Sequence, residues 1–222
     1  MLRHLDEQLR QIKSEILVTG GYVERALEEA ISALLNNQPE RFNLVFDFEK
    51  KINEAHIRID EMCLEFLASQ SPVAKDLRLI LAIIKINTDL ERMGDQAVNI
   101  SHNARDYLKN TPIKSLNDIS DMTRDVQRMI RDALDAFVMN DSSKAESVLL
   151  QDDAVDEAKH RVFREFIAEI QKNPQVTGQA LDLILIARNL ERLGDHATNI
   201  AEDVIFAVTG KDIRHGSKTT DR

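Results

Sequence analysis

Hydrophobic residues recur at steps of three and four along nearly the whole chain, with polar residues between them. In the first segment these positions are Leu9, Ile12, Ile16, Val23, Leu27, Ile31 and Leu34. Such spacing places apolar side chains on one face of an α-helix. No segment shows the alternation of apolar and polar residues that indicates a strand, so the pattern predicts an all-α protein.

Helix breakers and capping residues divide this pattern into six long predicted helices. The first helix ends at Asn36–Pro39, and Pro72 fits the first turn of the third, where a missing N–H does no harm. Asn140 begins a break with good capping residues, and Gly210 follows the last helix. We expect helices over about residues 9–36, 40–68, 72–109, 119–137, 142–171 and 176–208.

The second half of the chain repeats the first. Lys85–Ile100 and Leu185–Ile200 share nine of sixteen positions at a constant spacing of 100 residues. The first two helices of each half align at a spacing of 103, so the second half lacks three residues before its third helix. Because internal repeats indicate repeated units of structure, we predict two tandem, pseudo-symmetric three-helix bundles. They span residues 1–110 and 111–210, and a polar tail follows over 211–222.

Acidic residues are prominent among the repeated positions. Glu91 and Asp95 recur as Glu191 and Asp195, and each pair is four residues apart. On a helical wheel these acids point away from the main apolar stripe, which by itself indicates a solvated face. The second helix of each half carries a comparable pair of acid or amide residues at the same spacing. These pairs are Glu49 with Asn53 and Asp152 with Asp156.

Two features of these motifs argue against a merely solvated face. Like charges four residues apart destabilise a helix by roughly 0.2–0.5 kcal/mol, and a glycine inside a helix costs about 1 kcal/mol relative to alanine. Gly94 and Gly194 stand at matching positions beside the acids, as if a group approaches closely there. If the acid-bearing helices pack side by side, carboxylate oxygens converge, and such oxygens suit Mg, Mn, Ca or ferric iron. A metal site and a solvated acidic face both remain open interpretations.

Composition narrows the classes of function. The formal charge of −9 argues against nucleic-acid binding, which needs a basic face. The single cysteine, Cys63, excludes an intramolecular disulfide and lies in an apolar helical stretch, so we expect a core thiol in a reducing compartment. No run approaches the roughly 18 apolar residues of a membrane span, and the first residues do not read as a secretion signal. We therefore expect a soluble, cytoplasmic protein.

Catalytic patterns are not visible in the sequence. A ferritin-like di-iron site needs Glu-x-x-His on two helices, and here only Glu157 and His160 fit, once. No Ser, Thr or Cys nucleophile stands with a paired His, and no glycine-rich phosphate loop occurs. We predict no catalytic residue and no enzymatic activity.

The chain resembles the PhoU family in the two copies of the acidic motif and in the segment Ser71–Arg78 that opens the third helix. The copies are Glu91–Asp95 with Asn99–Ile100 and Glu191–Asp195 with Asn199–Ile200. The resemblance covers residues 1–210 and implies one metal cluster per repeat, with iron or zinc favoured and Mg or Mn as alternatives. The first cluster would use Glu49, Asn53, Glu91 and Asp95, and the second would use Asp152, Asp156, Glu191 and Asp195. Asn53 departs from the acidic pattern, so we expect the first site to be weaker, differently occupied or empty.

The same resemblance implies a regulatory role. Such a protein would be a non-enzymatic adaptor, a homodimer that docks on the ATPase subunit of a phosphate ABC transporter and on a PhoR-type sensor histidine kinase. It would repress the phosphate-starvation response when phosphate is ample. The alternative is a metal-storage or metal-sensing helical protein in which the clusters are themselves the function. A metallophosphohydrolase is less favoured, because those enzymes usually recruit His with Asp and the repeated motif has no shared His.

Overall fold

The computed structural model describes residues 2–69, 72–113 and 116–214, and these ranges contain helices and no strand. The predicted all-α class is confirmed. Short 3₁₀ turns at Pro39–Arg41 and Pro174–Val176 lead into the second and the last α-helix. The α-helices are α1 (Leu2–Asn36), α2 (Phe42–Ser69), α3 (Ala74–Tyr107), α4 (Asn117–Met139), α5 (Ser142–Leu149), α6 (Asp152–Lys172) and α7 (Thr177–Thr209).

The six predicted long helices correspond to α1, α2, α3, α4, α6 and α7, but the expected fifth helix is not continuous. A turn at Leu150 and Gln151 separates α5 from α6, and the backbone N–H of Gln151 bonds to the Val148 carbonyl three residues back. The break places Asp152 and Asp153 in the first turn of α6. Acidic side chains are favoured there because they face the positive end of the helix dipole.

The two halves share one hydrophobic core. Helices α1, α2 and α3 pack together, α4 and α6 pack on α7, and the most extensive helix pair is α3 with α7, which joins the halves. Positions matched by the 103-residue spacing are buried in both halves, as the repeat predicts. They include Val23 and Val126, Leu27 and Ile130, Ile52 and Val155, and Ile59 and Val162.

The pseudo-symmetry extends to the turns. Asn37 and Asn140, which follow α1 and α4 at the same 103-residue spacing, have φ of 53° and 50°. Asparagine tolerates this left-handed conformation better than most residues. Gly210 ends α7 at φ 74°, as its position in the sequence predicts.

Within the described ranges, no helix combines the length and the apolar character that crossing a bilayer requires. The predicted polar tail is described only as far as Arg214, and its remaining residues lie outside the described part of the chain.

Candidate functional site

The acidic residues of the second half lie on two adjacent helices, α6 and α7. Asp152 and Asp156 belong to α6, while Glu191 and Asp195 belong to α7. We call these four residues the second-half acidic cluster. A lysine of α6 stands between the helices: Lys159 Nζ lies 2.9 Å from Asp156 Oδ1 and 2.8 Å from Glu191 Oε1. The ammonium group therefore supplies a positive charge inside the cluster.

Burial and neighbouring negative charge both disfavour the ionised form of carboxylates in this cluster. Burial, followed by the charges of Asp195 and Asp156, raises the pKa of Asp152 to about 6. Burial and the charges of Glu191 and Asp156 also raise the pKa of Asp195. Burial lowers the pKa of Lys159, but its hydrogen bonds to Glu191 and Asp156 outweigh this and raise the pKa overall. The cluster thus favours an added proton or cation.

The corresponding residues of the first half are arranged differently. Asn53 donates a hydrogen bond of 2.6 Å from Nδ2 to Glu49 Oε1, so the two predicted ligands of α2 satisfy each other. In the described part of the chain, Glu91 and Asp95 of α3 have no hydrogen bond or ion pair from their side chains. The residue matched to Lys159 is His56, whose ring instead lies 3.6 Å from Asp60. The structure therefore does not link the four predicted first-half ligands.

Within the described ranges, neither half presents a complete coordination shell. Among the described residues, no three His, Cys, Asp or Glu side chains are grouped closely enough to hold an ion. The second-half acidic cluster fits a cation in its donor chemistry and its excess negative charge, although Lys159 takes part of the space. The first half has three carboxylates among its predicted ligands, because Asn53 is neutral, and the Glu49 carboxylate already accepts a hydrogen bond from Asn53.

Comparison with known proteins identifies the family. The family model "PhoU domain" matches residues 16–104 and, a second time, residues 119–204. The chain belongs to the PhoU family. The resemblance predicted from the motifs is thereby confirmed, as is the tandem repetition of the domain.

Named PhoU proteins resemble this chain over almost their whole length. The "Phosphate-specific transport system accessory protein PhoU homolog" of Pseudomonas aeruginosa is 35% identical over 221 residues, covering 97% of this chain and 91% of that protein. The PhoU protein of Escherichia coli K12, named as an accessory protein of the same system, is 31% identical, covering 94% of this chain and 86% of that protein.

Solved PhoU structures share the fold. The crystal structure of PhoU from Pseudomonas aeruginosa has a TM-score of 0.89 at 35% identity and covers 93% of this chain and 99% of that one. The crystal structure of the phosphate transport system regulatory protein PhoU from Streptococcus pneumoniae has a TM-score of 0.86 at 26% identity and covers 94% of this chain and 99% of that one.

Of the two repeated glycines of this PhoU chain, Gly94 marks close helix packing and Gly194 does not. A Cβ added at Gly94 would lie 3.1 Å from Ile52 Cδ1, which is tight, so α2 approaches α3 at this point. At Gly194 the nearest atom would be Val155 Cγ1 at 3.5 Å, with Asp152 Oδ1 at 3.7 Å, which is ordinary van der Waals contact. The close group expected beside the acids is therefore present at Gly94, where it is a packed side chain of α2, and the same expectation was wrong at Gly194.

A polar seam between α3 and α7 escaped the sequence analysis of this PhoU chain. Asp89 is 7% exposed, and its Oδ1 lies 2.8 Å from His196 Nδ1 and 3.3 Å from Asn199 Nδ2. Farther along, Lys85 Nζ lies 3.2 Å from Oδ1 of the buried Asp203. Charges buried in this way are satisfied by partners from the opposite half.

The repeats themselves contained the signal for this seam. Where the first half has Asp89, the second has Asn189, and where the second has His196, the first has Gln96. Gln96 Oε1 is buried without a hydrogen bond in the described part of the chain, and Asn189 donates to its own helix, to the Leu185 carbonyl. Where two contacting positions both differ between the repeats, the differences thus indicate an interaction that forms once and not at the symmetry-related place.

Proposed function

We propose that this protein is a non-enzymatic regulator of a phosphate ABC transporter. The observation that carries the proposal is similarity over almost the whole chain to proteins named accessory proteins of the phosphate-specific transport system. Both PhoU domains are present and cover most of the chain. The regulator acts in the cytoplasm as a homodimer. It docks on the transporter's ATPase subunit and on a PhoR-type sensor kinase, and represses the phosphate-starvation response.

A partner protein can pack on an exposed helical face that carries apolar side chains. Ile57 and Leu64 of α2 are 61% and 65% exposed and stand seven residues apart, so they share one face of the helix. Single exposed apolar residues are ordinary on protein surfaces, but two on one helical face form a stripe that a partner helix can cover. We assign this stripe to the ATPase contact.

Co-purification tests the docking proposal. The tagged chain should retain the transporter ATPase and, separately, the cytoplasmic region of the sensor kinase. Ile57→Glu with Leu64→Glu should abolish retention of the ATPase, since both anchors become charged. Leu150→Glu is a matched control, because Leu150 is an equally apolar residue, 81% exposed, on the other half. Failure of the wild-type chain to retain either partner would overturn the proposal.

We further propose that the second-half acidic cluster binds a metal ion, with iron or zinc favoured and Mg or Mn as alternatives. Support comes from the four carboxylates and from the pKa of Asp152, raised by burial and by its acidic neighbours. Dialysed protein should retain close to stoichiometric metal in elemental analysis. The Asp152→Ala/Glu191→Ala/Asp195→Ala variant should lose it. Equal metal content in the two proteins would refute this site.

The alternative function is metal storage or sensing, favoured by the same cluster of carboxylates. In that case the metal content, and not the partner, should control the biological response. Cells carrying the triple variant would then misregulate metal-responsive genes while their phosphate-starvation response stayed normal. The opposite outcome, a phosphate defect with intact metal responses, supports the transporter regulator.

A further inference from the structure

A cavity of about 550 Å³ lies where the two halves meet. Its wall combines the beginning of α1, the first turns of α3, the end of α7 and the turn after α4. The polar residues on the wall are Asp6, Arg10, Lys13, Lys75, Asp76 and Asn140. A volume of this size falls in the range of small-molecule sites.

The lysines of this cavity have no carboxylate partner among the described residues. Lys13 Nζ lies 2.9 Å from Asn140 Oδ1 and 5.0 Å from the centroid of the Phe137 ring. Burial and the neighbouring Lys75 ammonium both lower the pKa of Lys13. The charge that acts most on Lys13 is thus another cation, and two ammonium groups face the same space.

The acids on the wall do not neutralise these lysines. Asp76 lies in the first turn of α3, where the helix dipole stabilises a carboxylate. Asp6 is exposed, and neither acid forms an ion pair with Lys13 or Lys75 within the described ranges. Arg10 pairs with Glu7 along α1 and keeps further N–H donors free for another partner.

The duplicated fold supplies an internal comparison. A second cavity, of about 360 Å³, occupies the equivalent place in the other half. There Asn37 matches Asn140 at the 103-residue spacing, and Leu116 stands where Lys13 stands in the first. Among the residues that the structure describes, no Lys, Arg, Asp or Glu lines this second cavity. Since the same helical packing forms without a lysine at the position of Lys13, that charge is not required by the fold.

We infer that the larger cavity binds a small anion bearing a phosphate group, held by Lys13 and Lys75 with Asn140 and Arg10. Lysine ammonium groups are common phosphate ligands, and a polyvalent oxyanion relieves the repulsion between two of them. Because these ligands come from both halves, the anion would link α1, α3 and the turn after α4. This inference concerns a ligand rather than a protein partner, so it stands apart from the proposed function.

Isothermal titration calorimetry at fixed ionic strength tests the site with inorganic phosphate, pyrophosphate and ATP, and with sulfate as the comparison oxyanion. The Lys13→Leu/Lys75→Gln variant copies the equivalent residues Leu116 and Gln175 of the other half. It should bind the preferred anion at least about tenfold more weakly. Lys51→Met, which removes a lysine packed on Tyr22 and Phe48 outside the cavity, should bind like the wild type.

The ligand arms separate the possible sources of the phosphate group. If inorganic phosphate binds most tightly, the cavity is a site for free phosphate. If ATP binds most tightly, the cavity is a nucleotide site. Either outcome supports the inference. No saturable binding up to about 10 mM of any anion overturns it. Unchanged affinity in the double variant, or sulfate binding as tight as phosphate, also overturns it. Should the double variant not fold, the exposed Lys75→Gln change alone provides the same comparison.

Discussion

The two repeated glycines, Gly94 and Gly194, give a prediction in which the same substitution is compared between the two halves of the protein. Replacing a glycine inside a helix by alanine stabilises the helix by about 1 kcal/mol when the new methyl group meets no neighbour. Gly194 and Gly94 occupy equivalent positions but differ in the space around them. The two substitutions should therefore change the free energy of unfolding in opposite directions.

At Gly194 a new Cβ would lie 3.5 Å from its nearest neighbour, an ordinary contact. Gly194→Ala should thus raise the free energy of unfolding by up to about 1 kcal/mol. At Gly94 the new Cβ would lie 3.1 Å from Cδ1 of Ile52, which is fully buried. Overpacking of this kind costs about 1–3 kcal/mol, so Gly94→Ala should be destabilising by up to about 2 kcal/mol after the helix gain is subtracted.

Urea unfolding followed by far-ultraviolet circular dichroism measures both effects, since the chain has no Trp. Gly21→Ala is the control, because a Cβ there would meet nothing within 4 Å and should yield the helix gain alone. Equal stabilisation by all three substitutions would show that α2 does not approach α3 as closely as described. Destabilisation by Gly194→Ala would refute the reasoning for the second half.

Three further predictions concern ionisable groups. In metal-free protein, the pKa of Asp152 is raised to about 6 in the folded state, whereas an aspartate in the unfolded chain has a pKa of about 3.9. Between pH 4 and pH 6 the folded state therefore binds a proton that the unfolded state has released. The free energy of unfolding should therefore fall as the pH rises from 4 to 6, by about 1 kcal/mol because the group is partly exposed. Urea titrations at each pH measure this fall, and Asp152→Asn should remove the contribution of Asp152 to it. Lys159→Met should lower the free energy of unfolding of the metal-free protein by about 1 kcal/mol, because Glu191 and Asp156 lose the lysine that they share. The same substitution should raise the affinity for metal, measured by competition with a chelator. Unchanged affinity would show that Lys159 does not compete with the metal ion. Cys63 should not react with a thiol reagent in the folded protein, because the side chain is buried and burial raises the pKa of its thiol to about 12. A rapid reaction before unfolding would contradict this prediction.

Periodicity predicted the helices well because each helix here must bury one face against its neighbours. Pro39, Pro174 and Gly210 mark boundaries that the structure places within a few residues of the prediction. The break between α5 and α6 was missed, since Leu150 and Gln151 include neither proline nor glycine. That interruption follows from hydrogen bonds of the turn, which a hydrophobic pattern does not contain.

The candidate site could be predicted only in part from sequence. The repeat identified the four acids of the second half, and the structure places them on adjacent helices. It did not identify Lys159, because the role of that lysine depends on the distance between α6 and α7. Nor could one linear pattern reveal that Lys13, Lys75 and Asn140, far apart in the chain, line one cavity.

The seam between α3 and α7 has a consequence for how two copies of one unit fit together. Two identical subunits related by a two-fold axis must present the same residue at both equivalent places. Joining the repeats in one chain removes that restriction, so Asp89 can meet His196 on one side while Asn189 and Gln96 remain uncharged on the other. The double substitution Asp89→Asn with His196→Gln would make the two sides alike again, and it would remove the contact between Asp89 and His196 that joins the halves at that level.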